Sequence, residues 1–70
     1  MEKPTKSIMQ IDEYSTFLIM WSDYAVYSEA KQFCSRHSET EKGKYYLEID
    51  GRYDRRDVIA YLKEWAYNNA

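Results

Sequence analysis

The chain has 70 residues, with ten basic and twelve acidic side chains, a formal charge of −2, and aromatics at 17%. A chain this short buries only about 60% of its unfolded surface and retains ~3–5 kcal/mol of net stability, which argues against a deep, dry substrate cavity and so against an ordinary enzyme. One cysteine, Cys34, excludes an intramolecular disulfide, and no apolar run approaches the ~18 residues of a membrane span.

In chain order, residues 1–13 are polar, with Pro4 near the start, and are expected to form a flexible N-terminal arm. Ile8, Met9 and Ile11 within it can add a short strand or cover the core. Met1–Ser7 lacks the apolar stretch of a signal peptide. With the single cysteine this points to a reducing compartment, the cytoplasm. Residues 14–70 are expected to form a single domain. Phe17–Trp21 is apolar throughout and reads either as a buried strand or as part of a helix capped by Thr16 and running to about Tyr24. Ser28 is a good N-cap, and Glu29 then falls in a first helical turn. Ala30, Phe33, Cys34 and His37 follow at spacings of three and four, which predicts a middle helix ending near Ser38–Thr40. Its opposite face carries Lys31, Gln32, Ser35 and Arg36.

Tyr45–Ile49 alternates, with Tyr45, Leu47 and Ile49 on one side and Tyr46 and Glu48 on the other. Asp50-Gly51 after it predicts a type I′ turn, with Arg52-Tyr53 returning as the second strand of a hairpin. Gly43 loosens the approach to that hairpin. Asp54 caps a last helix with Asp57 three residues on, and Val58, Tyr61, Leu62 and Trp65 form its apolar stripe.

Chemistry-bearing groups are sparse. Cys34 and His37 share the expected helical face, but a structural zinc needs four ligands and the chain has no other Cys or His. A buried thiol and a helix-end imidazole account for the pair. Asp54 and Asp57 are capping residues in this reading, and neither glycine belongs to a phosphate loop. No cofactor, metal, catalytic residue or small-molecule substrate is expected. The cations hold more information. From Lys31 to Arg56 there are seven basic and five acidic residues. They form either a solvated surface or a split phosphate-contacting surface, with Lys44 and Arg52 at the hairpin and Arg55 opening the last helix.

Two short helices, a hairpin and a closing helix is the order of a winged helix-turn-helix. The stretch Arg52-Tyr53-Asp54-Arg55-Arg56-Asp57-Val58, followed by Tyr61-Leu62, resembles the end of the wing and the next helix in MerR-like domains, a layout shared by phage excisionases and related recombination directionality factors. Asp50-Gly51-Arg52 is similar to a wing tip, and Thr16 and Ser28 match the residues opening the two helices. The resemblance covers about residues 14–66. It departs in two ways: Phe17–Trp21 is apolar on all sides, and the chain is acidic. The resemblance implies an α+β winged-helix-like domain binding double-stranded DNA. Lys31, Gln32, Ser35 and Arg36 would lie in the major groove, and Lys44 and Arg52 would contact the adjacent backbone or minor groove. Such a factor bends DNA for an integrase or another protein partner in phage recombination, or regulates transcription.

The alternative fold is a small antiparallel sheet with two packed helices, in which Phe17–Trp21 is a strand. It suits a phage-encoded inhibitor of a host protein, of the anti-CRISPR or anti-host kind, with an acidic, Tyr-rich contact surface. A third possibility is an oligomerising module. The state of residues 17–24 separates the first two.

Overall fold

The computed structural model describes residues 10–68. They form an α+β domain with strands β1 (Gln10–Glu13), β2 (Leu18–Trp21), β3 (Cys34–Glu41) and β4 (Lys44–Ile49), and helices α1 (Tyr24–Ala30) and α2 (Arg55–Asn68). A 3₁₀ turn, Lys31–Phe33, links α1 to β3. The sheet is antiparallel throughout, in the order β1-β2-β4-β3. Both helices pack on one face of it. The architecture is thus the antiparallel sheet with two packed helices; the helix–helix–hairpin–helix order is not the one adopted.

Phe17–Trp21 is therefore strand-forming rather than helical. β2 is a central strand, bonded to β1 on one edge and β4 on the other. Leu18 and Met20 are fully buried against the helices, while Ile19 and Trp21 are half-buried on the opposite face. A short apolar run with Ile and Trp suits a strand buried on one face and half-buried on the other. The helix begins only after Ser22, a buried residue whose N–H donates to the Gly43 carbonyl at 3.0 Å. Asp23 stands at the N-cap in extended backbone, and its carbonyl accepts from Val26 N–H at 3.1 Å. Ser28, expected to be a cap, is an exposed residue inside α1.

The expected middle helix to Ser38–Thr40 is also corrected. At Cys34 the chain turns extended, with φ −107° and ψ 137°, and pairs with β4. Ser35, His37, Ser38 and Thr40 are weak helix formers, and β4 would otherwise present an open edge beside a fully buried Leu47. The hairpin is β3–β4, turned at Lys42-Gly43, where Gly43 adopts φ +81°. That left-handed backbone explains a glycine there. Asp50-Gly51 does not make the expected type I′ turn, since no non-glycine described residue has positive φ. Instead Asp50 Oδ1 accepts the Arg52 N–H at 2.9 Å, an Asx turn, and the Asp50 N–H donates to the Phe33 carbonyl at 2.8 Å. Arg52-Tyr53 is consequently loop, not strand.

Gln10–Glu13, expected within the arm, is the edge strand β1, and Ile11 packs against the core as foreseen. Ile8, Met9 and Met1–Ser7 lie outside the described residues. α2 follows the sequence expectation most closely. Asp54 Oδ1 accepts from Arg56 N–H at 2.8 Å and Asp57 N–H at 3.4 Å, capping the helix. Its buried line is Val58, Leu62 and Ala66, one residue every turn, whereas Tyr61 is exposed. These three meet Val26, Tyr27 and Ala30 of α1 and Leu18, Met20, Tyr45 and Leu47 of the sheet in one core.

Candidate binding surface

With both helices on one side, the other face of the sheet has to present whatever the alternate positions of each strand carry. On β2 these are Ile19 and Trp21; on β4, Lys44, Tyr46 and Glu48. The register aligns Ile19 with Tyr46 and Trp21 with Lys44. On β1, Gln10 lies opposite Trp21 and Asp12 opposite Ile19. On β3, Arg36 lies opposite Glu48 and Ser38 opposite Tyr46. Phe17 continues the β2 row, and its ring lies 5.1 Å from Tyr46. Tyr14 stacks on Phe17 at 4.6 Å and 13°.

The result is a contiguous ridge of Tyr14, Phe17, Tyr46, Ile19 and Trp21. None of the five belongs to the core cluster or packs against it. Tyr14 is 47% exposed and the other four are half-buried. Charge surrounds the ridge. Lys44 Nζ sits 5.0 Å from the Trp21 ring centroid, a cation–π contact. Tyr46 donates its hydroxyl to the Glu48 carboxylate, and that bond raises the Tyr46 phenol above its ordinary value. In the register Arg36 lies opposite Glu48 and Lys44 opposite Glu41, so each of these cations faces a carboxylate across the strand pair. An aromatic centre with a mixed polar rim is the composition of a protein-binding patch.

The seven residues expected to contact DNA are divided among several places. Arg36 and Lys44 lie on this open face. Ser35 lies on the edge strand, where its hydroxyl donates to the Glu48 carbonyl at 3.2 Å. Lys31 and Gln32 are in the 3₁₀ turn on the helical side. Lys31 Nζ donates to the Tyr24 hydroxyl at 3.2 Å and lies over the Tyr24 and Tyr27 rings. Gln32 donates to the Glu29 carboxylate at 2.7 Å. Arg52 follows β4 in the loop and pairs with Asp50 at 3.0 Å; its backbone N–H bond to Asp50, then the guanidinium bond, hold the Asp50 carboxyl below its usual range. Arg55 serves as a clip. It donates to the Tyr14 carbonyl, and to the Ser15 carbonyl at 3.0 Å, tying the β1–β2 turn to the start of α2. Lys31 and Arg36 therefore lie on opposite sides of the sheet.

Sequence reasoning missed Tyr14, Phe17, Ile19, Trp21 and Tyr46 as a unit. One signal was present: Phe17–Trp21 offers apolar groups to both faces, while Tyr46 alternates away from the buried Tyr45 and Leu47. In a two-layer domain one of those faces must remain outside the core.

Cys34 and His37, adjacent in the sequence pattern, have separate structural tasks. The Cys34 thiol donates to the Ala30 carbonyl at 3.3 Å, and burial pushes its pKa up to about 11. His37 Nδ1 is 2.9 Å from the Tyr27 hydroxyl. A raised thiol pKa means that the neutral form is favoured in the fold. Its stabilisation is complete below the unfolded value near 9 and is lost as pH rises toward 11. Since the thiolate is the nucleophile, alkylation of native Cys34 by iodoacetamide at pH 8 should be on the order of 100-fold slower than in urea. Equal rates in the two conditions would show that the thiol is not protected.

No family model matches the chain, and neither a curated protein nor a solved structure matches it.

Proposed function

We propose that this domain is a protein-binding module, an inhibitor or adaptor that seats a partner protein on the helix-free face of its sheet. The observation that carries this reading is the ridge of Tyr14, Phe17, Tyr46, Ile19 and Trp21, left outside the core by a two-layer fold. Aromatic side chains concentrate binding energy at the centres of interfaces, and charged rims select the partner. A duplex-DNA surface needs cations gathered on one side. Here each open-face cation has a neighbouring carboxylate, and Lys31 lies on the opposite side. The net charge of −2 agrees with a protein target.

The test begins by isolating the partner from extracts of the source cells and measuring its affinity for the purified chain by calorimetry. Trp21→Ala and Tyr46→Ala should each weaken binding about 30-fold, the scale of an interface hot spot, with little change in thermal midpoint. Lys63→Ala, on the exposed side of α2, should bind normally. Full affinity in both ridge variants would overturn the assignment. So would direct duplex-DNA binding that weakens steeply with added salt.

A further inference from the structure

A second feature lies away from the ridge, where the loop after β4 meets the 3₁₀ turn and α2. Phe33, Arg52, Tyr53, Asp54, Asp57, Val58 and Tyr61 line a cleft of about 430 Å³. Three aromatic rings wall it. Phe33 is central, with Tyr53 at 5.2 Å and 87° and Tyr61 at 5.3 Å and 73°. The near-perpendicular planes make a corner rather than a flat stack. Tyr53 is 39% exposed and Tyr61 41% exposed. The corner is held in place: Tyr61 donates its hydroxyl to the Glu29 carboxylate at 2.5 Å, and the backbone around Tyr53 is fixed by its N–H bond to the Asp50 carbonyl at 3.0 Å.

Charge decides what such a corner receives. Ring faces are negative and attract cations. The Arg52 guanidinium already lies 5.5 Å from the Tyr53 centroid, so this ring accepts a cation within the chain itself. Arg52 adds little net field, because Asp50 pairs with it. Asp54 and Asp57 remain, and Asp57 forms no ion pair among the described residues. Arg55 is turned away to the Tyr14 and Ser15 carbonyls, and neither it nor Arg56 lines the cleft, so within the cleft the two carboxylates outweigh the roughly half positive charge of the α2 N-terminus. An unmodified ammonium is strongly hydrated and resists transfer onto rings, whereas an alkylated one gives up water more readily and offers methyl groups for contact. The half-exposed walls suit a side chain delivered on a polypeptide better than a free small molecule, which needs most of its surface enclosed.

We propose that the Phe33–Tyr53–Tyr61 corner with Asp54 and Asp57 is a binding site for a methylated lysine side chain on a partner polypeptide. The site is independent of the sheet-face reading and uses different residues.

The test titrates the full chain with a capped pentapeptide, Gly-Gly-trimethyllysine-Gly-Gly, following the ring resonances of Phe33, Tyr53 and Tyr61 by NMR. Two further peptides carry unmodified lysine, or a carbon isostere with the quaternary nitrogen replaced by neutral carbon. The trimethyllysine peptide should shift all three rings saturably and bind ~10-fold tighter than either control, within the range of a cation–π contact. Tyr53→Ala and Asp57→Asn, both at exposed positions, should each weaken it at least fivefold without moving the thermal midpoint by more than a few degrees. Equal binding of the carbon isostere would overturn the proposal. So would undiminished binding in Tyr53→Ala, absence of saturable shifts at millimolar peptide, or free choline binding as tightly as the peptide.

Discussion

Tyr45→Ala should leave the chain largely unfolded at 25 °C, with its near-ultraviolet dichroism lost and no cooperative thermal transition. Tyr45 is one of the largest fully buried side chains and projects from the central strand β4. Its ring stacks on Tyr27 of α1 at 4.2 Å and 9°, joining sheet to helix across the core. Truncating a buried aromatic to alanine costs ~3–5 kcal/mol, combining lost transfer energy with the cavity left behind. A 70-residue domain holds a net stability of about the same size. Burial also raises the Tyr45 phenol above its ordinary value, so the ring is neutral well beyond pH 7. Tyr45→Phe retains the stacked ring and should fold. A cooperative transition in Tyr45→Ala within a few degrees of the parent would show that the stack does not organise the core.

Leu62→Ala is expected to lower the thermal midpoint by more than ~10 °C. Leu62 is fully buried at the centre of the Val58–Leu62–Ala66 line, through which α2 meets α1 and the sheet. Leucine-to-alanine changes at such sites cost ~2–5 kcal/mol. In a domain of this size each kcal/mol moves the midpoint by roughly 4–8 °C. Glu64→Ala, exposed on the same helix, should stay within ~0.5 kcal/mol of the parent. Thermal midpoints of the two variants, followed by circular dichroism, provide the comparison, and a shift below 5 °C for Leu62→Ala would contradict the core described above.

The sequence was most legible where local and tertiary demands coincide. Asp54 has only one sensible role before a periodic apolar stripe, and α2 follows from it. Tyr45, Leu47 and Ile49 alternate because β4 is buried on one side, and that too is readable. Phe17–Trp21 was open to two readings because a run of five apolar residues carries no period. The decision rests with β1 and β4, which supply hydrogen bonds on both edges. Residues 34–41 misled for another reason. Phe33, Cys34 and His37 have helical spacing by coincidence, since a register shift between Cys34 and Arg36 changes the strand's alternation. Bulges leave almost no trace in a single sequence. The Asp50-Gly51 pair has hairpin chemistry, but the Asx bond to Arg52 uses the same residues differently. The ridge and the Phe33 corner both depend on this rearranged topology. Their rings were visible as an excess of tyrosine, but not as neighbours.

β3 has one further consequence. It is an edge strand of eight residues, longer than its neighbours, and an outer strand is a template on which foreign chains can add. Its ladder, however, is interrupted between Cys34 and Arg36 and again between Glu39 and Glu41, so only Arg36–Glu39 runs without a break. Ser35, Arg36, His37, Ser38, Glu39, Thr40 and Glu41 are all exposed and polar. A strand arriving from solution would find four regular positions between two kinks, lined with charge. That border is thereby a poor template for fibrillar growth.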